Sequence, residues 1–238
     1  HEYITTGLNE NKFGLNEQDL PKALNFITGA SHIELIGIHF HIGSQITDLC
    51  AFENLCVRAM GWKHWFENRG VRLQLINVGG GLGINYKHPN HCPIANFESY
   101  FRLFDKHMKL NDDQSIHFEP GRSVVAPCGS LIAQSVYVKE GLSKKFLIID
   151  AGMTDLIRPA LYQAFHHIEN MSSEEEPTCY DVVGPICESS DTFGKNREIN
   201  KAKRGDLIAI RSAGAYGEVM ASQYNCRELP KSYFSDQI

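Results

Sequence analysis

Short apolar runs recur through the first half of the chain, and each breaks off at glycine or at polar residues able to do chemistry. The run IELIGIHFH (33–41) closes near Gly43, residues 73–78 lead into Gly79-Gly80-Gly81, and Ile116-His117-Phe118 leads into Glu119. Between them, 52–68 and 96–110 carry apolar residues at helical spacing, the first stopped by Arg69-Gly70. Strands alternating with helices in this way pair as βα units in a parallel sheet. The polar residues then share the C-terminal edge of that sheet, the edge on which a (β/α)8 barrel builds its site. A whole barrel takes about 250 residues. Only some four βα units fit before Pro127, so the barrel does not close from this chain.

The second half has a different character. Residues 130–139, 145–149, 180–183 and 206–210 are strand-like, with one helix expected over 158–170 and a turn-rich acidic stretch, SSEEEP, at 172–177. Strands without regular helices between them suggest antiparallel pairing. The expected fold is therefore α/β: the C-terminal portion of a TIM barrel in 1–126, followed by a mostly antiparallel β domain in 127–238. The opening HEYITTG runs straight into KFGL and has no initiating Met, which reads like the middle of a domain. The chain is accordingly expected to be a piece of a longer protein.

Composition narrows the class. With 42% hydrophobic residues there is ample core material, yet no apolar run approaches the roughly 20 residues of a membrane helix. The 23 basic and 28 acidic side chains form no basic cluster, which argues against a nucleic-acid surface. Seven cysteines without a CxxC pair suit a reducing compartment better than a disulfide framework. The expectation is a soluble cytoplasmic chain with no nucleic-acid or membrane partner.

Several motifs could carry chemistry. Glycines at 79–81 and 83 let backbone N–H groups converge on an anion such as phosphate. The pattern is not GxGxxG, because Ile84 holds the sixth position, and it also suits a plain strand-to-helix turn. Glu119-Pro120-Gly121-Arg122 sets a carboxylate and a guanidinium on one loop, suited to holding a proton on a heteroaromatic nitrogen or to a surface ion pair. His39-Phe40-His41 puts two imidazoles on one strand face, a spacing that could ligate a metal if His117 or other ligands joined them. Cys187-Glu188 lies in the polar loop GPICESSD, where the thiol is either functional or a small core residue. RPALY (158–162) and GAYG (214–217) place Arg158, Tyr162 and Tyr216 beside small residues that permit close approach. The other cysteines, with Trp62 and Trp65, read as core.

Six stretches in order carry a close resemblance to the fold-type III pyridoxal-phosphate decarboxylases, and within them to the branch acting on diaminopimelate. They are HFHIGSQI (39–46), NVGGGLGI (77–84), FEPGRSVV (118–125), DAGMTDLIRPALY (150–162), VVGPICESSD (182–191) and GAYGEVMASQYN (214–225). The resemblance implies a barrel followed by a β domain, with pyridoxal 5′-phosphate as cofactor. His41 would stack on the cofactor ring, and Glu119 would keep its nitrogen protonated. Ser44 and the amides of Gly79, Gly80 and Gly81 would hold the phosphate, with Gly121, Arg122 and Tyr216 at the same end.

The implied reaction converts meso-2,6-diaminopimelate to L-lysine and carbon dioxide, the last step of lysine biosynthesis. Arg158, helped by Arg122 and Tyr162, would grip the distal carboxylate; Glu188 would take the distal ammonium, and Tyr216 would also reach substrate. Cys187 would supply the proton that replaces the lost carboxylate. The resemblance further implies a homodimer with shared active sites, the Cys187–Glu188 loop coming from the second subunit.

One departure stands out. The family anchors its cofactor on a lysine in a stretch like Tyr-Ala-x-Lys-Ala, and this sequence has none; Lys12 belongs to a different motif. The 238 residues alone are therefore expected to be inactive, with roughly the first half of the barrel lying outside them. Two other readings follow: a non-catalytic relative that keeps the fold for binding, and a metal-dependent barrel hydrolase built on His39 and His41.

Overall fold

The computed structural model describes residues 12–237, so the polar opening lies outside the described residues. The chain divides into two compact units, 1–83 with 95–121, and 84–94 with 122–238. The expected boundary at 126/127 and the division at 121/122 are separated by one short helix.

The first unit runs α1 (Leu20–Gly29), β1 (Gly37–His39), α2 (Cys50–Glu67), β2 (Leu75–Asn77), α3 (Phe97–His107) and β3 (Ser115–His117). The strands are parallel in the order β1-β2-β3, with Ile38, Ile76 and Ile116 side by side in register. Among its described residues this unit has three strands, against some four βα units expected, and the apolar run at 33–41 forms a strand only over 37–39. Helix α2 buries Phe52, Leu55, Cys56 and Ala59, positions one helical turn apart, against Ile76, Val78 and Tyr100, Leu103 and Phe104 of α3. Phe52 and Tyr100 meet edge to face at 4.9 Å. Each such large side chain contributes about 1.5–3 kcal/mol on burial. Asn96 caps α3 by accepting the Ser99 N–H at 3.1 Å.

Two expectations about this core need correction. Trp62 and Trp65 are only half-buried, because the buried face of α2 continues through Lys63 and Phe66 instead. Trp65 flanks the small Leu24–Phe66–Leu73 cluster, with the Arg69 guanidinium 3.9 Å from its ring. Of the cysteines read as core, Cys56 is buried, while Cys50, Cys92, Cys128, Cys179 and Cys226 are exposed.

The second unit contains α4 (Arg122–Val125), β4 (Leu131–Glu140), β5 (Lys145–Ile149), α5 (Arg158–Tyr162), β6 (Ile168–Asn170), β7 (Pro177–Val183), β8 (Thr192–Asn200) and β9 (Leu207–Ile210). They form one sheet in the order β6-β9-β4-β5-β7-β8. Every pairing is antiparallel except β5 with β7, so the expected mostly antiparallel domain is observed. Leu147, Ile149, Val182, Ile208 and Ile210 are fully buried at its centre.

Two elements differ from expectation. The helix at 158–170 stops after Tyr162, where Gln163 turns left-handed (φ 52°), and 168–170 instead pairs with β9. Strand β8, TFGKNREIN, was not anticipated: it is an edge strand whose polar residues face solvent, so its alternation is faint. Among the described residues no helix is long and apolar enough to cross a membrane.

Candidate functional site

In the first unit the three strand ends converge. Phe40 N–H donates to Asn77 O at 2.8 Å, Val78 N–H to His117 O at 3.0 Å, and Glu119 N–H to Gly79 O at 2.8 Å. The ladder thus continues one step past each strand and brings 40–41, 78–81 and 119 together. This crowding is what demands glycine. A Cβ on Gly79 (φ +70°) would fall 2.2 Å from Phe40 O, and one on Gly80 would fall 2.2 Å from Glu119 O. A Cβ on Gly81 (φ +103°) would fall 2.6 Å from Gly43 O, and Ile46 N–H donates to Gly81 O at 2.9 Å. The glycines thus serve a close-packed loop at the strand ends and not the strand-to-helix turn they also suited, since the next helix begins only at Phe97, and the anion reading stays open.

The amides divide between the two roles. Gly79 N–H donates to Asn77 Oδ1 at 2.8 Å, so it is already used within the fold. Gly80 and Gly81 donate to no described backbone acceptor in this turn. Two side-chain-free N–H groups at parallel strand ends fit the phosphate of pyridoxal phosphate. Asn77 does more: its Nδ2 donates to Glu119 Oε1 at 2.8 Å, while His39 Nε2 stands 3.4 Å from Glu119 Oε2. The carboxylate is fixed by two neighbours and remains half-exposed, a good acceptor for a ring N–H. His41 is exposed beside Gly79, its Nδ1 3.2 Å from the position of that glycine's missing Cβ. Ser44 is partly buried in the same loop, and Gly121 has open space around it.

His39 is paired with Glu119, and among the described residues no three His, Cys, Asp or Glu side chains gather as metal ligands do.

In the second unit two guanidiniums meet. Arg122 and Arg158 are buried, 7% and 5% exposed, and each donates through Nη1 to the hydroxyl of Tyr86, at 2.8 and 3.0 Å. Arg122 also lies 5.0 Å from the ring of Tyr216, which is exposed and held at φ 58°. Among the described residues no carboxylate forms an ion pair with Arg158. Burial draws its guanidinium below the usual range, and the neighbouring Arg122 charge adds to that. It nonetheless stays charged at neutral pH. A buried guanidinium without a counter-ion is costly unless an anion joins it. Tyr162 closes the same short helix, α5, and is partly buried.

Cys187 and Glu188 occupy the exposed loop between β7 and β8, so Cys187 is not the small core residue it could have been. The loop is built on buried Asp191, which accepts the N–H groups of Ile186 (2.7 Å) and Met153 (2.6 Å). Glu188 accepts from the Tyr224 hydroxyl at 2.5 Å and the Ser190 hydroxyl at 3.2 Å. That bond raises the Tyr224 phenol above its ordinary value.

Asn77, Tyr86, Asp191, Tyr224 and His166 escaped the reading of the sequence. Asn77 and Asp191 left a trace, since each flanks a glycine-containing motif and can act through both its side-chain heteroatoms. Tyr86 and Tyr224 act across 72 and 36 residues, and His166, eight residues from Arg158, lies beyond the end of α5, so none leaves a local signature.

Comparisons with known proteins agree with one another. The family model described as pyridoxal-dependent decarboxylase, C-terminal sheet domain, matches residues 28–214. A Bacteroides thetaiotaomicron protein named diaminopimelate decarboxylase is 58% identical over all 238 residues, which cover 62% of its length. The crystal structure of Helicobacter pylori diaminopimelate decarboxylase complexed with L-lysine superposes with a TM-score of 0.86 at 39% identity, over 96% of this chain and 57% of that one. The Methanocaldococcus jannaschii enzyme in co-complex with L-lysine gives 0.84 at 36%, over 97% and 54%. The chain thus spans between 54% and 62% of the length of these relatives.

Proposed function

Since the chain belongs to the pyridoxal-dependent decarboxylases, we propose that it carries the cofactor-holding and substrate-selecting residues of a meso-diaminopimelate decarboxylase, which forms L-lysine and carbon dioxide. The observation that carries the reading is the buried Arg122–Arg158 pair, with no carboxylate on Arg158. A substrate with a distal carboxylate supplies an anion for Arg158; ornithine, which has no distal carboxylate, leaves Arg158 uncompensated. Two similar proteins bear the name of this activity at 58% and 39% identity, and the second was crystallised with L-lysine.

Pyridoxal 5′-phosphate, when bound, supplies the electron sink into which the electrons of the breaking carbon–carboxylate bond flow. The chain's residues do the rest. Gly80 and Gly81 offer amides to the phosphate, with Gly79 shaping the turn and Ser44, Gly121, Arg122 and Tyr216 at the same end. Glu119, oriented by Asn77, holds the proton on the ring nitrogen, and His41 lies against the ring. Arg158, with Arg122 and Tyr162, binds the distal carboxylate; Glu188 binds the distal ammonium, and Tyr216 also contacts substrate. The Cys187 thiol gives its proton to the carbon that lost carbon dioxide. The same reading takes 1–126 as barrel, 127–238 as β domain, the assembly as a homodimer with shared sites, and the compartment as cytoplasm.

The test uses the natural protein that contains this sequence, purified with pyridoxal phosphate. It should release carbon dioxide from meso-diaminopimelate and form lysine, and Arg158→Leu should lower kcat/KM roughly a hundredfold. Intact mass after borohydride reduction should show one cofactor adduct on a polypeptide heavier than 26.8 kDa. Equal turnover of meso-diaminopimelate and ornithine, or cofactor binding without carbon dioxide release, overturns the reading; the latter leaves a binding relative.

A further inference from the structure

We propose that His166 is a positioning residue: it aims the guanidinium of Arg158 so that one edge stays open for the substrate's distal carboxylate, with Tyr86 as the second support. This rests on the substrate reading above and adds residues that no motif marked.

His166 sits just before β6, completely buried. Its Nδ1 lies 2.9 Å from the backbone carbonyl of Arg211, and its Nε2 lies 2.9 Å from Arg158 Nη1. A carbonyl only accepts, so Nδ1 carries the hydrogen; a guanidinium only donates, so Nε2 carries the lone pair. A single form of the ring, the neutral Nδ1–H tautomer, satisfies both partners. Burial agrees, pushing the imidazole down to about 4.

The consequence falls on Arg158. Its Nη1 has two hydrogens, one directed at the Tyr86 hydroxyl (3.0 Å) and the other at His166 Nε2 (2.9 Å). The Nε and Nη2 hydrogens donate to no described residue. Two fixed hydrogen bonds on one nitrogen lock the plane of the guanidinium, and the remaining edge has the fork geometry that a carboxylate accepts. Both supports are neutral. A carboxylate in place of His166 would hold the arginine as firmly but cancel the charge that the ligand needs. The Tyr86 ring packs edge to face on the imidazole, centroids 5.1 Å apart, so the supports also brace each other. His166 itself need touch no ligand.

Glutamine and leucine variants separate this role from a merely structural one. A glutamine amide has two heteroatoms spaced like the imidazole nitrogens, one donating and one accepting; leucine has neither. Calorimetry on the cofactor-loaded natural protein compares L-lysine, which keeps the distal carboxylate, with pentane-1,5-diamine, the same chain without it. His166→Leu should weaken L-lysine about thirtyfold while moving the diamine less than threefold, and His166→Gln should restore most of the loss. Imidazole 15N shifts of the unsubstituted protein should report the Nδ1–H tautomer. Equal losses for both ligands, no loss, or an Nε2–H tautomer overturns the proposal. Should His166→Leu fail to fold, the tautomer and the ligand preference of His166→Gln decide it. Failure of the unsubstituted protein to prefer L-lysine to the diamine would instead sink the substrate reading.

Discussion

The charged side chains that weigh most on His166 are cations: Arg158, Arg122 and Arg197. Burial comes first and these charges second in pushing its pKa down to about 4, while the Arg211 carbonyl pulls the other way. The unfolded chain, with an ordinary histidine near 6.5, binds the proton more readily than the folded one. The neutral ring's contribution to stability is therefore whole above pH 6.5 and is lost as pH falls toward 4, a change on the order of 3 kcal/mol. His167 shifts in the same direction, so the informative quantity is a difference between variants. Denaturant melts at pH 7 and pH 4 should show the unsubstituted chain losing on the order of 3 kcal/mol more than His166→Gln. Parallel losses in the two would mean that the imidazole is not held neutral. At this scale the sequence revealed charge, not geometry. Arg158 and Glu188 stood out because the motifs around them name their chemistry. Tyr86 and His166 did not, because Tyr86 meets Arg158 across 72 residues and His166 meets the Arg211 carbonyl across 45.

The loop from β7 to β8 shows how one buried side chain builds an element. Asp191 receives two backbone N–H groups, and Gly184 passes so close that a Cβ there would lie 2.4 Å from Asp191 Oδ2. The Gly184 N–H also donates to the Asp191 carbonyl at 3.1 Å, and Glu188 N–H to Ile186 O at 2.7 Å. Burial pushes the Asp191 carboxyl up, against the two N–H bonds that favour its ionised form. Asp191→Ala strands both donors, so urea unfolding should show a loss of about 2–4 kcal/mol. A loss below about 0.5 kcal/mol, the range of an ordinary surface change, would mean that the loop does not depend on this carboxylate. The other elements follow the same division. Strong periodicity made α2 and α3 visible, and apolar runs made β4 and β5 visible. Strand β8 and the end of α5 were hidden, since an edge strand needs little apolar alternation and α5 ends where β6 finds a partner in β9.

For the whole molecule, the sharpest question is whether two chains share each site. If Cys187 reaches its substrate from a partner chain, a Cys187→Ala variant and a Glu119→Ala variant are each inactive, yet complement one another. Random reassortment makes half the dimers mixed, and each mixed dimer has one intact site of two, so roughly a quarter of the activity should return on mixing. Activity that stays at background in a mixture shown by mass to have exchanged subunits would refute the shared arrangement.

By itself the sequence determined the fold class, the parallel strand ends that gather the polar residues, the antiparallel second half and the order of motifs typical of the family. These are properties of periodicity and of short contiguous stretches, which the chain encodes locally. Only the tertiary structure decided that Gly79 spends its amide on Asn77 while Gly80 and Gly81 keep theirs. The tertiary structure also turned His39 toward Glu119 and leaned two buried arginines on one tyrosine hydroxyl. Hydrogen bonds are short and directional, so which donor meets which acceptor is settled only once distant segments have packed.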